Sequence, residues 1–122
     1  MLKIYTLKQC STCKNALKWL DANNIPYEVH AVRETPPSVS EITAMRDAIG
    51  SIKKLYNTSG QDYRALGLKD TLPDLPPADA IQLLASNGSL VKRPFAIDEA
   101  SSVFLTGFRE PQWEAAFQIS KS

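Results

Sequence analysis

The chain contains two cysteines, spaced as Cys10-Ser11-Thr12-Cys13. The run before them, Leu2-Lys3-Ile4-Tyr5-Thr6, has the apolar alternation of a strand, and Ala16-Leu17-Lys18-Trp19-Leu20 after them has helical spacing. This placement constrains the fold, because it requires a helix to begin at the first cysteine. The unpaired N–H groups and the dipole of that helix would stabilise a thiolate on Cys10. Cys13, about one turn further on, is near enough to close a disulfide with it.

The rest of the chain alternates between two patterns. Helix one is expected from about Ser11 to Ala22, closed at Asn23-Asn24, because Asn tolerates the left-handed conformation. Ile25, Tyr27 and Val29 then alternate with Pro26, Glu28 and His30, which predicts a half-buried strand parallel to the first. Ser38 and Glu41 form a capping-box signature ahead of Val39, Ile42, Met45 and Ile49. A short helix around Ile52–Tyr56, a turn ending at Leu66-Gly67, a rigid connector over Leu72–Pro77 and a helix from about Pro76 to Ser86 complete a helical block over residues 38–86.

Strand character returns at Leu90-Val91-Lys92-Arg93, is interrupted by Pro94 and continues through Phe95-Ala96-Ile97. Val103–Thr106 follows closely enough to pair with it as a hairpin. A last helix is expected from about Glu110 to Ile119, with Pro111 in its first turn. The order is βαβ, helical insert, ββα. It predicts an α/β fold with a thioredoxin-like core, a mixed four-stranded sheet and one domain spanning residues 1–122.

Composition narrows the function classes. A chain of 122 residues with 43% hydrophobic and 22% charged content can bury an ordinary core. The balance of 14 basic and 13 acidic residues lacks the concentrated basic face of a nucleic-acid binder, so no direct nucleic-acid partner is expected. No apolar stretch reaches the ~20 residues of a membrane helix, so no membrane partner is expected either. The N-terminal run reads as a strand rather than a signal peptide, and the expected compartment is the cytoplasm. There a surface disulfide is transient and catalytic more often than structural.

Cys10 is the expected nucleophile, with Lys8 and Lys14 adding positive charge around it. Such surroundings lower thiol pKa values to roughly 3.5–7.5. Cys13 is the expected resolving thiol, attacking a mixed disulfide on Cys10. A zinc site would need further ligands, and His30 is the single histidine, so no metal is expected. Arg93-Pro94 is the second informative pair. Proline inside a β run needs a special reason, and X-Pro bonds alone adopt cis cheaply. If Pro94 faces the cysteines, Arg93 brings a guanidinium to bind an anion beside them. Locally, Arg64 and Arg109 read as solvated or helix-end residues, His30 as a strand-surface residue, and Trp19 and Trp113 as packing residues.

Four segments together resemble the ArsC/Spx family of arsenate-reductase-like, glutaredoxin-related proteins. They are Tyr5-x4-Cys10-Ser11-Thr12-Cys13-Lys14-x-Ala16-x2-Trp19-Leu20, Asn57-x2-Gly60-x2-Tyr63-Arg64-x-Leu66, Lys92-Arg93-Pro94 and Gly107-Phe108-x4-Trp113. The resemblance implies a thioredoxin-like core with a helical insertion, a catalytic Cys10, and an oxyanion-contacting Arg93 beside a cis Pro94. It extends a similar role to Arg64, whereas a third anion-contacting arginine has no matching residue, Arg109 being only nearby. No bound cofactor is implied; glutathione is the implied co-substrate, with glutaredoxin or thioredoxin as alternative thiol partners. The glutathione-dependent arsenate reductases carry a histidine where this chain has Lys8. The second cysteine resembles instead the Spx branch, whose members sense oxidation through this disulfide and bind the RNA polymerase alpha C-terminal domain. Gly50 falls near the glycine of that contact. The expectation is a reductase-like thiol–disulfide enzyme, and the alternative is a redox-sensing regulator without turnover.

Overall fold

A computed structural model of the chain describes residues 1–119. Four strands, β1 (Leu2–Thr6), β2 (Tyr27–Ala31), β3 (Phe95–Asp98) and β4 (Val103–Thr106), form one sheet in the order β2-β1-β3-β4. β1 and β2 are parallel, as their connection through helix α1 (Ser11–Ala22) requires. β1 pairs antiparallel with β3, and β3 pairs antiparallel with β4. The expected βαβ–insert–ββα order and mixed sheet are therefore present.

Alternation along β1 and β3 distributes their side chains to two cores. Leu2, Ile4 and Ala96 face α1 and the last helix, α6 (Glu110–Ala116), where they join Ala16, Leu20, Leu105 and Trp113. Tyr5, Phe95 and Ile97 face the helical insert and join Ile42, Met45, Leu55 and Leu84. The insert comprises α2 (Val39–Ile49), α3 (Gln61–Ala65), α4 (Leu68–Thr71) and α5 (Pro77–Ser86), with short 3-10 turns at Lys53–Leu55, Leu72–Asp74 and Gly88–Leu90. Leu72, in the expected rigid connector, is buried and opens one of these turns.

Three boundaries differ from expectation. Leu90–Arg93 is not strand: Leu90 closes a 3-10 turn capped by the Asn87 side chain, and Val91 makes a single bridge to Tyr56. The Lys92 N–H donates to the Leu55 carbonyl and the Asn57 N–H to the Leu90 carbonyl, so the insert rather than the sheet satisfies this segment. A Cβ on Gly88 would lie 1.8 Å from the Val32 carbonyl oxygen, which excludes any side chain where the turn passes that backbone. The last helix stops at Ala116, because Gln118 takes a left-handed φ of 56°. Its N–H donates to the Ala115 carbonyl and that of Ile119 to the Glu114 carbonyl, a Schellman closure. Finally, β2 begins at Tyr27, and Val29 is 49% exposed at the sheet's outer edge, while His30 stacks on Tyr5 with ring centroids 5.1 Å apart.

The Ser38–Glu41 capping box is present and does more than start α2. Glu41 also accepts a 2.7 Å hydrogen bond from the Tyr5 hydroxyl and pairs with Lys3 at 3.5 Å, tying the insert to β1. Burial pushes the Glu41 carboxyl up, but the Tyr5 hydroxyl, the Ser38 N–H and Lys3 outweigh it and hold the group below the ordinary carboxylate range. A depressed folded-state pKa gives stability that is present above the unfolded value of about 4.3 and lost as pH falls through the folded value. Glu41→Gln is expected to destabilise the protein by about 1–2 kcal/mol at pH 7, with the difference closing as pH falls below the ordinary carboxylate range. Urea denaturation of both proteins across this range tests it; a constant difference would contradict the assignment.

Candidate active site

The strand-to-helix handover places the dithiol. The Cys10 N–H donates to the Leu7 carbonyl at 3.0 Å, which turns the chain after β1. Cys10 is then the N-cap of α1, in extended conformation, and its Sγ accepts the Cys13 N–H at 3.2 Å. A helix N-terminal N–H is thus aimed at the sulfur. Cys10 is half-buried and Cys13 is 1% exposed; both are free thiols. Burial pushes the Cys13 thiol up to about 12, aided by its contact with Cys10, while the Leu7 backbone and the charge of Arg93 act in the opposite direction. The two sulfurs are therefore inequivalent.

The Arg93–Pro94 peptide is cis and immediately precedes β3. Arg93 influences Cys13 electrostatically, and its guanidinium donates a long 3.5 Å hydrogen bond to the Ser89 carbonyl. Its side chain lines a cleft of about 720 Å³ that starts at Thr12, between the two cysteines. Lys54, Lys92 and Arg109 line the same cleft, with Phe104 and Phe108 supplying apolar surface. A volume in the range of roughly 300–1,000 Å³ is typical of small-molecule sites.

The structure thus brings Arg93 within electrostatic reach of Cys13 and sets it with Thr12 on the cleft wall, while Cys10, Cys13 and Pro94 adjoin these residues without lining the cleft themselves. Lys14, on an exposed position of α1, and Arg64 are not among the residues lining the cleft. The Arg64 guanidinium instead donates to the Ser59 carbonyl at 3.0 Å. Sequence reasoning did not single out Lys54, Lys92 and Arg109 as cleft cations. The adjacency of Lys92 to Arg93-Pro94 was the available signal, whereas Lys54 arrives only through the packing of the insert. Among the described residues no three His, Cys, Asp or Glu side chains are grouped to hold a metal ion.

Comparison with known proteins decides the family. The ArsC family model matches residues 5–116. The chain belongs to the ArsC family. It is 38% identical over 114 residues to the uncharacterised protein YusI of Bacillus subtilis, covering 93% of this chain and 95% of that protein. The crystal structure of a possible arsenate reductase from Streptococcus mutans superposes with a TM-score of 0.85 at 39% identity, covering 93% of this chain and 98% of that one. The global transcriptional regulator Spx of Enterococcus faecalis is 27% identical over 113 residues, covering 92% of this chain and 83% of the regulator. The ArsC family thus brings together reductase-like members and regulators on this thioredoxin-like fold.

The inequivalence of the thiols is directly measurable. Iodoacetamide at pH 7 is expected to label Cys10 first, and Cys10→Ser is expected to reduce total labelling at least ~100-fold, since a thiol near 12 is almost wholly protonated. Peptide mapping by mass spectrometry identifies the site. Equal rates at the two cysteines would refute the asymmetry.

Proposed function

We propose that this ArsC family member is a thiol–disulfide oxidoreductase. The Cys10 thiolate attacks one sulfur of a disulfide substrate, forming a Cys10–substrate mixed disulfide while the other half leaves as a thiolate. Cys13 then attacks the Cys10 sulfur. The Cys10–Cys13 disulfide forms, the second half leaves, and the proton lost by Cys13 goes to that leaving sulfur. Two electrons pass from the dithiol to the substrate, and glutathione, glutaredoxin or thioredoxin restores the dithiol in the cytoplasm. Arg93 holds a substrate anion beside the reacting sulfurs.

The observation carrying this reading is the inequivalence of the pair: a half-buried Cys10 at a helix N-cap and a buried, protonated Cys13 next to a cationic cleft. An enzyme needs one thiol to attack and a second to wait. The regulator reading draws on the likeness to Spx. Gly50, however, takes a φ of 86° as the left-handed C-cap of α2, which accounts for a glycine there without a partner. We therefore favour turnover over binding alone.

The test is steady-state reduction of bis(2-hydroxyethyl) disulfide and of oxidised glutathione, with arsenate as a separate arm and a reductant supplied. Cys10→Ser is expected to lose at least ~100-fold in rate, and Cys13→Ser to accumulate a mixed disulfide on Cys10 visible by mass spectrometry. Arg93→Gln is expected to lower kcat/KM for oxidised glutathione by about tenfold, the equivalent of one charge-assisted hydrogen bond. A wild-type rate no better than that of Cys10→Ser on all three substrates would sink the catalytic reading. Redox-dependent capture of the RNA polymerase alpha C-terminal domain by such an inactive protein would instead establish the regulator.

A further inference from the structure

We propose that Trp113 is a positioning residue for the cleft rather than a packing residue alone. The inference rests on the reading of the cleft as the substrate site. Trp113 is fully buried, yet it engages three consecutive residues of the cleft wall, Gly107, Phe108 and Arg109. Its indole N–H donates to the Gly107 carbonyl at 3.1 Å. Its ring meets Phe108 edge-on with centroids 5.1 Å apart, and its backbone N–H donates to the Arg109 carbonyl at 3.1 Å.

Gly107 passes this restraint across the cleft. Its N–H donates to the Pro94 carbonyl at 2.9 Å, joining the wall after β4 to the residue that follows Arg93. Gly107 adopts a φ of 68°, and a Cβ there would lie 3.1 Å from Lys92 Cε, so the bare backbone also makes room for the Lys92 side chain. One indole N–H thereby holds a segment that is hydrogen-bonded to Pro94, leaves room for the Lys92 side chain and runs on into Arg109. Rigid support of this kind sets the geometry of a binding site without touching the ligand. The aromatic neighbour Trp19 packs against Phe108, Trp113 and Phe117 in the same cluster, without a hydrogen bond to the wall, and serves as the control for packing.

The experiment compares wild type, Trp113→Phe and Trp19→Phe with two probes, oxidised glutathione, which carries carboxylates, and uncharged bis(2-hydroxyethyl) disulfide. Trp113→Phe is expected to raise KM for oxidised glutathione by about tenfold with kcat changed less than about twofold, and to raise KM for the uncharged disulfide several-fold less. Hydrogen exchange at the Gly107 amide is expected to accelerate in Trp113→Phe and not in Trp19→Phe. Equal loss on both probes, a loss in kcat alone, or the same KM change in Trp19→Phe would overturn the assignment. If Trp113→Phe does not fold, benzothienylalanine at position 113 in the Trp19→Phe background deletes the N–H at nearly constant volume, and the same criteria apply. Absence of wild-type activity on both probes and on arsenate would defeat the functional reading; hydrogen exchange at the Gly107 amide would still decide whether Trp113 holds the wall.

Discussion

Strand β1 is paired along both edges and covered on both faces, and the remainder of the molecule follows from that position. Its register with β2 sets the parallel βαβ unit, and its register with β3 sets the antiparallel half. Buried on both sides, it divides its side chains between two cores, Leu2 and Ile4 to one and Tyr5 to the other. The Tyr5 hydroxyl cannot be buried without a partner, and Glu41 supplies it from the cap of α2. The insert is therefore bonded to the strand as well as packed on it. Where β1 ends, the turn at Leu7 delivers Cys10 to the start of α1.

That delivery gives Cys10 two duties. As N-cap, its sulfur satisfies one of the N–H groups a helix start leaves unpaired, a task oxygen side chains usually perform. As nucleophile in the proposed exchange, it would react through the same sulfur that accepts this N–H. On that proposal, forming a bond to a substrate sulfur would weaken the cap, and regenerating the free cysteine would restore it. The reduced protein keeps both the helix start and the attacking group in one interaction. This links the stability of the first turn of α1 to the redox state of the dithiol.

Much of this architecture was legible because it obeys local rules. The alternation in Leu2–Thr6, the capping box at Ser38–Glu41 and the tight succession of β3 and β4 each report a local physical need, and each element is where its pattern placed it. Arg93-Pro94 stood out for a similar reason, since proline in a β run demands an explanation, and the bond is cis. The segment before it misled, because Leu90-Val91 is as apolar as a strand. Its backbone bonds go to Leu55 and Asn57 in the insert, a long-range fact absent from local composition. The end of α6 depends likewise on a left-handed Gln118, an uncommon choice that no propensity announces. The cleft cations were hidden more deeply. Lys54 and Arg109 lie far apart in sequence, and only the closing of the insert against β4 and the chain after it brings them to one opening.

The placement of charge around the dithiol also bears on the order of its chemical steps. Arg93 acts on Cys13 in the direction of ionisation, yet burial prevails and keeps that thiol protonated. A resolving cysteine that ionised freely would compete with Cys10 for the substrate and would repel its thiolate across a short gap. In the proposed exchange, bonding Cys10 to a substrate sulfur removes one of the interactions that raise Cys13. On that proposal, ionisation of Cys13 becomes easier at the stage when its attack is required. Burial would then suppress the second thiol until the first has reacted, with a nearby arginine acting in the opposite direction. The sequence Cys10-Ser11-Thr12-Cys13 specifies two thiols; the fold makes them unequal in burial and in their hydrogen bonding.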